Sequence, residues 1–221
     1  MHDSIKEHSA GGVVYHNGKT LAIKWLLIDI GHVLLLKDTG KSFTELLANE
    51  LGVYTDLAQE INKAHYTTME TQYVSEETFV ADLETKLGYK APEDIFSYFA
   101  RAYEKQVRPN TELFAYLKEA RDSGMKTAIL SNTTAIYRPI QRQLGITKED
   151  GFDPILYSWE VEMRKPNRDI FELALQKLDA KPDEVIFIDD KLEHLQGAQQ
   201  VGIKTVLFDN TESVISQLRN M

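Results

Sequence analysis

Four short apolar runs constrain this chain more than any other feature: Trp25 to Ile30, Thr127 to Leu130, Val185 to Ile188 and Thr205 to Phe208. Each run is continuous rather than alternating. A strand that is apolar on both sides has both faces covered, as parallel strands do between two layers of helices. Helical patterns separate the last three runs. Pro109 to Ser123 sets Leu113, Phe114, Leu117 and Ala120 on one face, with Pro109 at the entry and Gly124 as a stop. Asn167 to Leu178 repeats the pattern with Ile170, Phe171, Ala174, Leu175 and Leu178, and Leu192 to Val201 does so again before Gly202. Strands alternating with helices predict an α/β fold, a doubly wound parallel sheet.

Two segments depart from this rhythm. Residues 41–106 are helical in pattern and contain no buried strand. Phe43, Leu46, Leu47 and Leu51 keep helical spacing behind Ser42 as a candidate N-cap, and Phe79, Leu83 and Leu87 continue it up to Gly88. The expectation is an inserted helical cap at 41–106, interrupting a core made of 25–40 and 107–221. Residues 1–24 are expected to form a β-hairpin extension, because Asn17-Gly18 is a preferred two-residue turn between β-prone flanks. The hairpin could pack on the core, extend its sheet or pair with another subunit.

Charge and composition narrow the function. The formal charge of the 221-residue chain is −9, with 34 acidic against 25 basic residues. Nucleic acid is not an expected partner, since phosphate contacts need clustered Lys and Arg. No cysteine is present, which excludes disulfides, thiolate zinc sites and cysteine nucleophiles. No apolar stretch approaches the roughly 20 residues of a membrane span, and the polar start Met1 to His8 has no signal core behind it. The expectation is a cytoplasmic protein, monomer or homodimer, without a membrane partner.

Chemistry-bearing residues fall where such a sheet places ligands. Asp29 lies near the end of the first run, Ser131-Asn132 follows the second and Asp189-Asp190 follows the third. In open α/β sheets the crevice outside the carboxyl ends of the strands holds the ligand, and Lys165 can reach it from a loop. A carboxylate can attack phosphorus to give an acyl phosphate. Its repulsion from a phosphate dianion must be cancelled, and a hard cation held by carboxylates, with magnesium the fitting ion, does so. Lys165 adds positive charge, while the Ser131 hydroxyl and the backbone N–H groups around Asn132 can donate to phosphoryl oxygens. Phosphoryl transfer needs little beyond such positioning and neutralisation.

In this order, the stretches Leu27-Ile28-Asp29-Ile30-Gly31-His32-Val33-Leu34, Ile129-Leu130-Ser131-Asn132-Thr133, Met163-Arg164-Lys165-Pro166 and Val185 to Asp190 resemble the motifs of the haloacid dehalogenase-like hydrolase superfamily. Glu193 to Ala198 and Gly202-Ile203 extend the last of them. The resemblance covers about Trp25 to Asp209, and the helical insert looks like that family's subclass I cap. Two stretches look closest to sugar-phosphate phosphatases, including those acting on glucose 1-phosphate, and are similar to the N-terminal phosphatase domain of soluble epoxide hydrolases. The resemblance implies a Rossmann-like fold and a magnesium-dependent phosphomonoester hydrolase acting on a small phosphorylated metabolite. It implies Asp29 as nucleophile and metal ligand, Gly31 as a ligand through its backbone carbonyl, and Asp190 as the direct acidic ligand. Asp189 would support or share that role, and Ser131, Asn132 and Lys165 would hold the phosphoryl group.

The chain departs from the family at two places. The phosphatases usually carry a second Asp two residues after the nucleophile, where this chain has Gly31, and His32 follows where Gly is usual. General acid–base help is worth about 10²–10⁴ in rate. Three readings stay open: a leaving group that needs little protonation, such as an anomeric oxygen; His32 as a substitute acid against a His32 simply hydrogen-bonded to its own loop; or an impaired relative that binds phosphorylated ligands or protein partners. His194, where many relatives have Asn, could join His32 in a two-histidine metal site. A metal-free dehalogenase is disfavoured by the acidic pair, which would repel an anionic substrate. A receiver domain is disfavoured because it places its acidic pair first. Ser9 to Tyr15 looks like the opening strand of Nudix hydrolases, but no Nudix box follows.

Overall fold

The computed structural model describes residues 13–16, 19–37 and 40–221. Strands β1 (Val13–His16) and β2 (Lys19–Ala22) pair antiparallel, His16 opposite Lys19 and Val13 opposite Ala22. This is the register a two-residue turn at 17–18 requires; the turn itself and residues 1–12 lie outside the described residues. The hairpin is a sheet of its own and does not extend the central one.

β3 (Trp25–Ile28) is the first strand of the main sheet and β4 (Leu35–Lys37) follows a tight loop. Four helices come next: α1 (Phe43–Leu51), α2 (Thr55–Met69), α3 (Glu76–Leu87) and α4 (Ile95–Gln106). Ser42 does cap α1. Its hydroxyl accepts from the Glu45 N–H at 3.2 Å, and the Glu45 carboxylate takes the Ser42 N–H at 2.6 Å, so two orphan donors are satisfied reciprocally. β5 (Val107–Pro109) then pairs antiparallel with β4. This two-stranded ribbon carries the chain out to the helices and back.

The remaining elements are α5 (Thr111–Asp122), β6 (Lys126–Ser131), α6 (Arg138–Gln143), β7 (Phe152–Tyr157), α7 (Ser158–Val161), α8 (Arg168–Leu178), β8 (Val185–Asp189), α9 (Leu192–Gln199), β9 (Lys204–Leu207) and α10 (Thr211–Arg219). Helix α5 starts two residues later than its apolar pattern suggested. Pro109 ends β5, and Asn110 is the cap, its Oδ1 accepting from the Leu113 N–H at 3.3 Å.

The main sheet has the order β7-β6-β3-β8-β9, all parallel. The four expected strands are present and β7 is a fifth. Its run is broken by Asp153-Pro154, and a proline cannot donate to a ladder, so it is confined to an edge. β7 is that edge. Along β3, Leu26 and Ile28 face a layer containing Leu113, Leu117, Val214 and Leu218 of α5 and α10. Trp25 and Leu27 face the opposite layer, with Ile170, Phe171, Ala174 and Leu178 of α8 and Leu195 and Ala198 of α9. The period of two thus buries both faces of one continuous run. Each fully buried aliphatic side chain contributes about 1.5–3 kcal/mol.

The inserted helices have their own apolar cluster, including Leu47, Ile61, Phe79, Leu83, Ile95 and Phe99. Tyr137, from the turn after β6, is buried in this cluster and stacks on Tyr103 at 4.2 Å between ring centroids. His65 of α2 reaches the other way, its Nε2 3.2 Å from Thr134 Oγ1.

Candidate active site

The chain enters the main sheet at its middle strand, adds β6 and β7 on one side, then β8 and β9 on the other. The strand order therefore reverses around β3, and a crevice opens at the carboxyl ends there. Asp29 follows β3, with its N–H still bonded to the Ile188 carbonyl at 3.0 Å. Ser131 is the last residue of β6 and Asp189 the last of β8.

Lys165 joins these ends. Its side chain is wholly buried, and Nζ donates to Asp29 Oδ1 at 2.7 Å, Asp189 Oδ2 at 2.7 Å and the Leu130 carbonyl at 2.8 Å. An ammonium has three donors, and all three are used. Burial alone would lower the Lys165 pKa, but Asp29 and Asp189 together raise it above its ordinary value, so it stays charged. Burial likewise works against ionised Asp189, yet Lys165 and His194 hold its carboxyl down at about 2. Asp29 goes the other way: burial, opposed by Lys165 and helped by the Asp189 charge, raises it. Only one of the two carboxylates beside Lys165 is fully compensated.

Asn132 serves the lysine rather than the cleft with its side chain. Oδ1 accepts from the Lys165 N–H and Nδ2 donates to the Lys165 carbonyl, both at 2.9 Å. The two acidic neighbours of β8 also divide. Asp189 is fully buried, with Oδ1 accepting from the Lys191 N–H at 2.9 Å and His194 Nδ1 lying 3.0 Å from both its oxygens. Asp190 turns toward the cleft, its Oδ2 3.0 Å from His32 Nδ1. His32 is exposed and adopts a left-handed backbone, φ 59°, which explains why glycine suits this position. The His32 ring is thus bonded to a carboxylate, while its backbone N–H bonds the Leu35 carbonyl of the same loop at 2.8 Å. The two histidines engage different aspartates, His32 with Asp190 and His194 with Asp189, and both line the same cleft.

Asp29, Asp189 and Asp190 present carboxylate oxygens all within 4.8 Å of one another, among the described residues the one such group. An all-oxygen, multiply anionic donor set of this kind fits a hard divalent cation such as magnesium. Asp29 and Asp190 line the open cleft with Gly31, whereas Asp189 does not.

The cleft has a volume of about 470 Å³ and is also lined by Tyr66, Thr67 and Glu70 of the α2 end, and by Asn132, Arg164, Lys191 and His194. Ser131 lies one step deeper, in a smaller chamber behind Asn132. Of the aromatic side chains of the inserted helices, Tyr66 lines the cleft. Tyr54 and Tyr73 are 90% and 65% exposed, and His65 is buried among Phe79, Phe99 and Tyr137. Glu70 and Arg164 form an ion pair at 2.9 Å across the cleft wall. Nothing in the sequence singled them out, because their pairing joins positions 94 residues apart in the chain.

The family model for haloacid dehalogenase-like hydrolases matches residues 14–202. The chain belongs to the haloacid dehalogenase-like hydrolases. Among its relatives in this family, a ribulose-1,5-bisphosphate 5-phosphatase of Halopiger xanaduensis is 33% identical over 61% of the chain and 57% of that protein. A bifunctional epoxide hydrolase 2 of Rattus norvegicus is 33% identical over 58% of the chain and 23% of that protein. The chain thus spans little more than half of the first and under a quarter of the second. A family enzyme from Bacteroides thetaiotaomicron, solved with magnesium and inorganic phosphate, shares the fold with a TM-score of 0.70 at 23% identity, over 87% of this chain and 99% of that one. Among the described residues of this family member, no helix is long and apolar enough to cross a membrane.

Proposed function

We propose that this chain is a magnesium-dependent phosphomonoester hydrolase acting on a small soluble phosphate, a sugar phosphate in particular, through a phosphorylated Asp29. The observation that carries the reading is the placement of three carboxylates within 4.8 Å of one another around a buried lysine. Such a cluster has little use in an apolar fold, since burying charges costs more than packing hydrophobic groups. Facing a phosphate it has one.

Asp29 and Asp190, with the Gly31 carbonyl, would hold the magnesium ion, and Asp189 would stand behind them holding Lys165. When bound, the ion neutralises the phosphoryl oxygens and the attacking carboxylate. An Asp29 oxygen forms a bond to phosphorus as the ester oxygen leaves with its electron pair. Lys165 shifts a donor from Asp29 to the phosphoryl group, joined by the Ser131 hydroxyl and the backbone N–H of Asn132. Water then cleaves the Asp29 acyl phosphate, releasing inorganic phosphate and restoring the carboxylate. Gly31 brings no acid for the leaving oxygen, so the reading favours leaving groups of low basicity, such as an anomeric oxygen. The cleft favours a polar substrate, because most of its lining residues are charged or hydrogen-bonding. Relatives named as phosphatases point the same way, and the lack of cysteine accords with a reducing cytoplasm.

A screen of sugar phosphates, nucleotides and aryl phosphates with magnesium tests this. Turnover that Asp29→Asn abolishes supports it; a protein that hydrolyses none of them sinks it. Gly31 favours a second reading, an impaired relative that binds phosphorylated ligands, which predicts phosphate binding without turnover.

A further inference from the structure

Behind the cleft lies a second chamber of about 130 Å³ between the cap and the core. The two cavities share Gly31, His32, Tyr66 and Asn132 as walls, so the chamber opens off the place where a phosphoryl group would sit. Its far side is built from Tyr103 and Gln106 of α4, and Thr133, Tyr137 and Gln141 of the core. Ile30, Leu35 and Val107 complete the wall, so these polar and amphipathic groups stand beside apolar ones.

Two of them have unmet hydrogen-bonding capacity. Gln141 is 1% exposed. Its Nε2 lies 3.3 Å from Thr133 Oγ1 and 3.4 Å from the Tyr103 hydroxyl, both long, and its Oε1 has no partner among the described residues. Tyr137 is equally buried, and its hydroxyl, though near that of Tyr66, makes no well-formed bond. Unpaired buried polar atoms are costly and uncommon. Two against one cavity, beside a phosphoryl site, mark a place where a ligand's own hydroxyls complete the set. A chamber of about 130 Å³ has room for the hydroxylated edge of a small ligand.

We propose that this chamber is the hydroxyl-reading subsite of the enzyme, in which Gln141 and Tyr137 bind vicinal hydroxyls on the leaving group of a sugar phosphate. The proposal rests on the function given above and adds the residues that select its substrate. It sets this chain apart from any member of the family that accepts apolar phosphate esters.

The test uses the full chain carrying Asp29→Asn, with magnesium, and calorimetry of three probes: inorganic phosphate, α-glucose 1-phosphate and phenyl phosphate. The last is a six-membered ring ester without hydroxyls. The expected result is tighter binding of glucose 1-phosphate than of phenyl phosphate, with that preference falling about tenfold or more in Gln141→Leu. Tyr137→Phe, which removes one oxygen and keeps the packing, should lower it severalfold and decides the matter if Gln141→Leu does not fold. A preference unchanged in both variants, an equal loss for all three probes, or a wild-type preference for phenyl phosphate overturns the subsite. Binding of inorganic phosphate without either ester also overturns the subsite alone. No binding of any probe overturns the phosphoryl site itself, and the subsite with it.

Discussion

Asn132 and Lys165 exchange two hydrogen bonds of 2.9 Å, the Asn132 amide reading both the N–H and the carbonyl of the lysine's own backbone. The side chain that positions the lysine thus comes from just after β6, while the lysine itself sits in the loop between α7 and α8. Asn132→Ala removes both bonds and should cost about 1–3 kcal/mol. Asn132→Asp keeps the acceptor for the N–H but sets an oxygen against the Lys165 carbonyl, so it should cost more than Ala. Urea unfolding of the three proteins measures the order, and Asp no worse than Ala would show that the pairing carries little weight.

On the proposed reading, the acidic cluster should make stability depend on magnesium. A ligand that binds only the folded state at a hundred times its Kd adds about 2.7 kcal/mol. Saturating magnesium should therefore raise Tm by several degrees, since 1 kcal/mol is worth roughly 2–4 °C in a chain of this size. Asp190→Asn should remove most of that rise while leaving the metal-free Tm little changed, because among the described residues the Asp190 side chain is bonded to exposed His32 alone. Thermal melts with and without magnesium decide it.

Gly197 of α9 lies against the loop that carries Lys165. A Cβ there would sit 2.4 Å from the Pro166 carbonyl and 2.8 Å from the Phe171 ring. Gly197→Ala must push α9 off this loop, at about 1–3 kcal/mol, and should reduce phosphatase activity by displacing Lys165. Gly40→Ala, whose Cβ meets nothing within 4 Å, is the control and should shift the urea midpoint little.

His65 should make the protein acid-sensitive. Burial lowers its pKa from 6.5 to about 3, so the folded state keeps it neutral while the unfolded state takes a proton below pH 6.5. The stability this group contributes is complete above pH 6.5 and is lost as pH falls toward 3, at about 1.4 kcal/mol per pH unit. Between pH 7 and pH 4.5 that amounts to roughly 2–3 kcal/mol. His65→Gln cannot titrate, and its pH slope in urea unfolding should be shallower over this window. Parallel slopes would assign the acid sensitivity to other groups.

How much of this was legible beforehand depended on range. The central strands, the cap of α1 at Ser42, and the order Asp29, Ser131, Lys165, Asp189-Asp190 could be read from the chain, because hydrophobic period and helix capping act between residues at most a few positions apart. β7 escaped because Pro154 hid a strand that its place at the sheet edge tolerates. Glu70 escaped because its partner Arg164 lies far away in sequence, and Gln141 because the chamber it lines is closed by Tyr103 and Gln106 of α4.

The division between Asp189 and Asp190 shows the boundary most clearly. The sequence by itself determined that two adjacent carboxylates, Asp189 and Asp190, follow the apolar run Val185 to Ile188, at the end of the sheet where ligands bind. Only the tertiary structure decided that Asp189 turns inward to Lys165 and His194 while Asp190 faces His32 and the cleft. Adjacent residues at a strand end point in opposite directions, and which direction meets the lysine is set by the loop after α7, which no local pattern in β8 encodes.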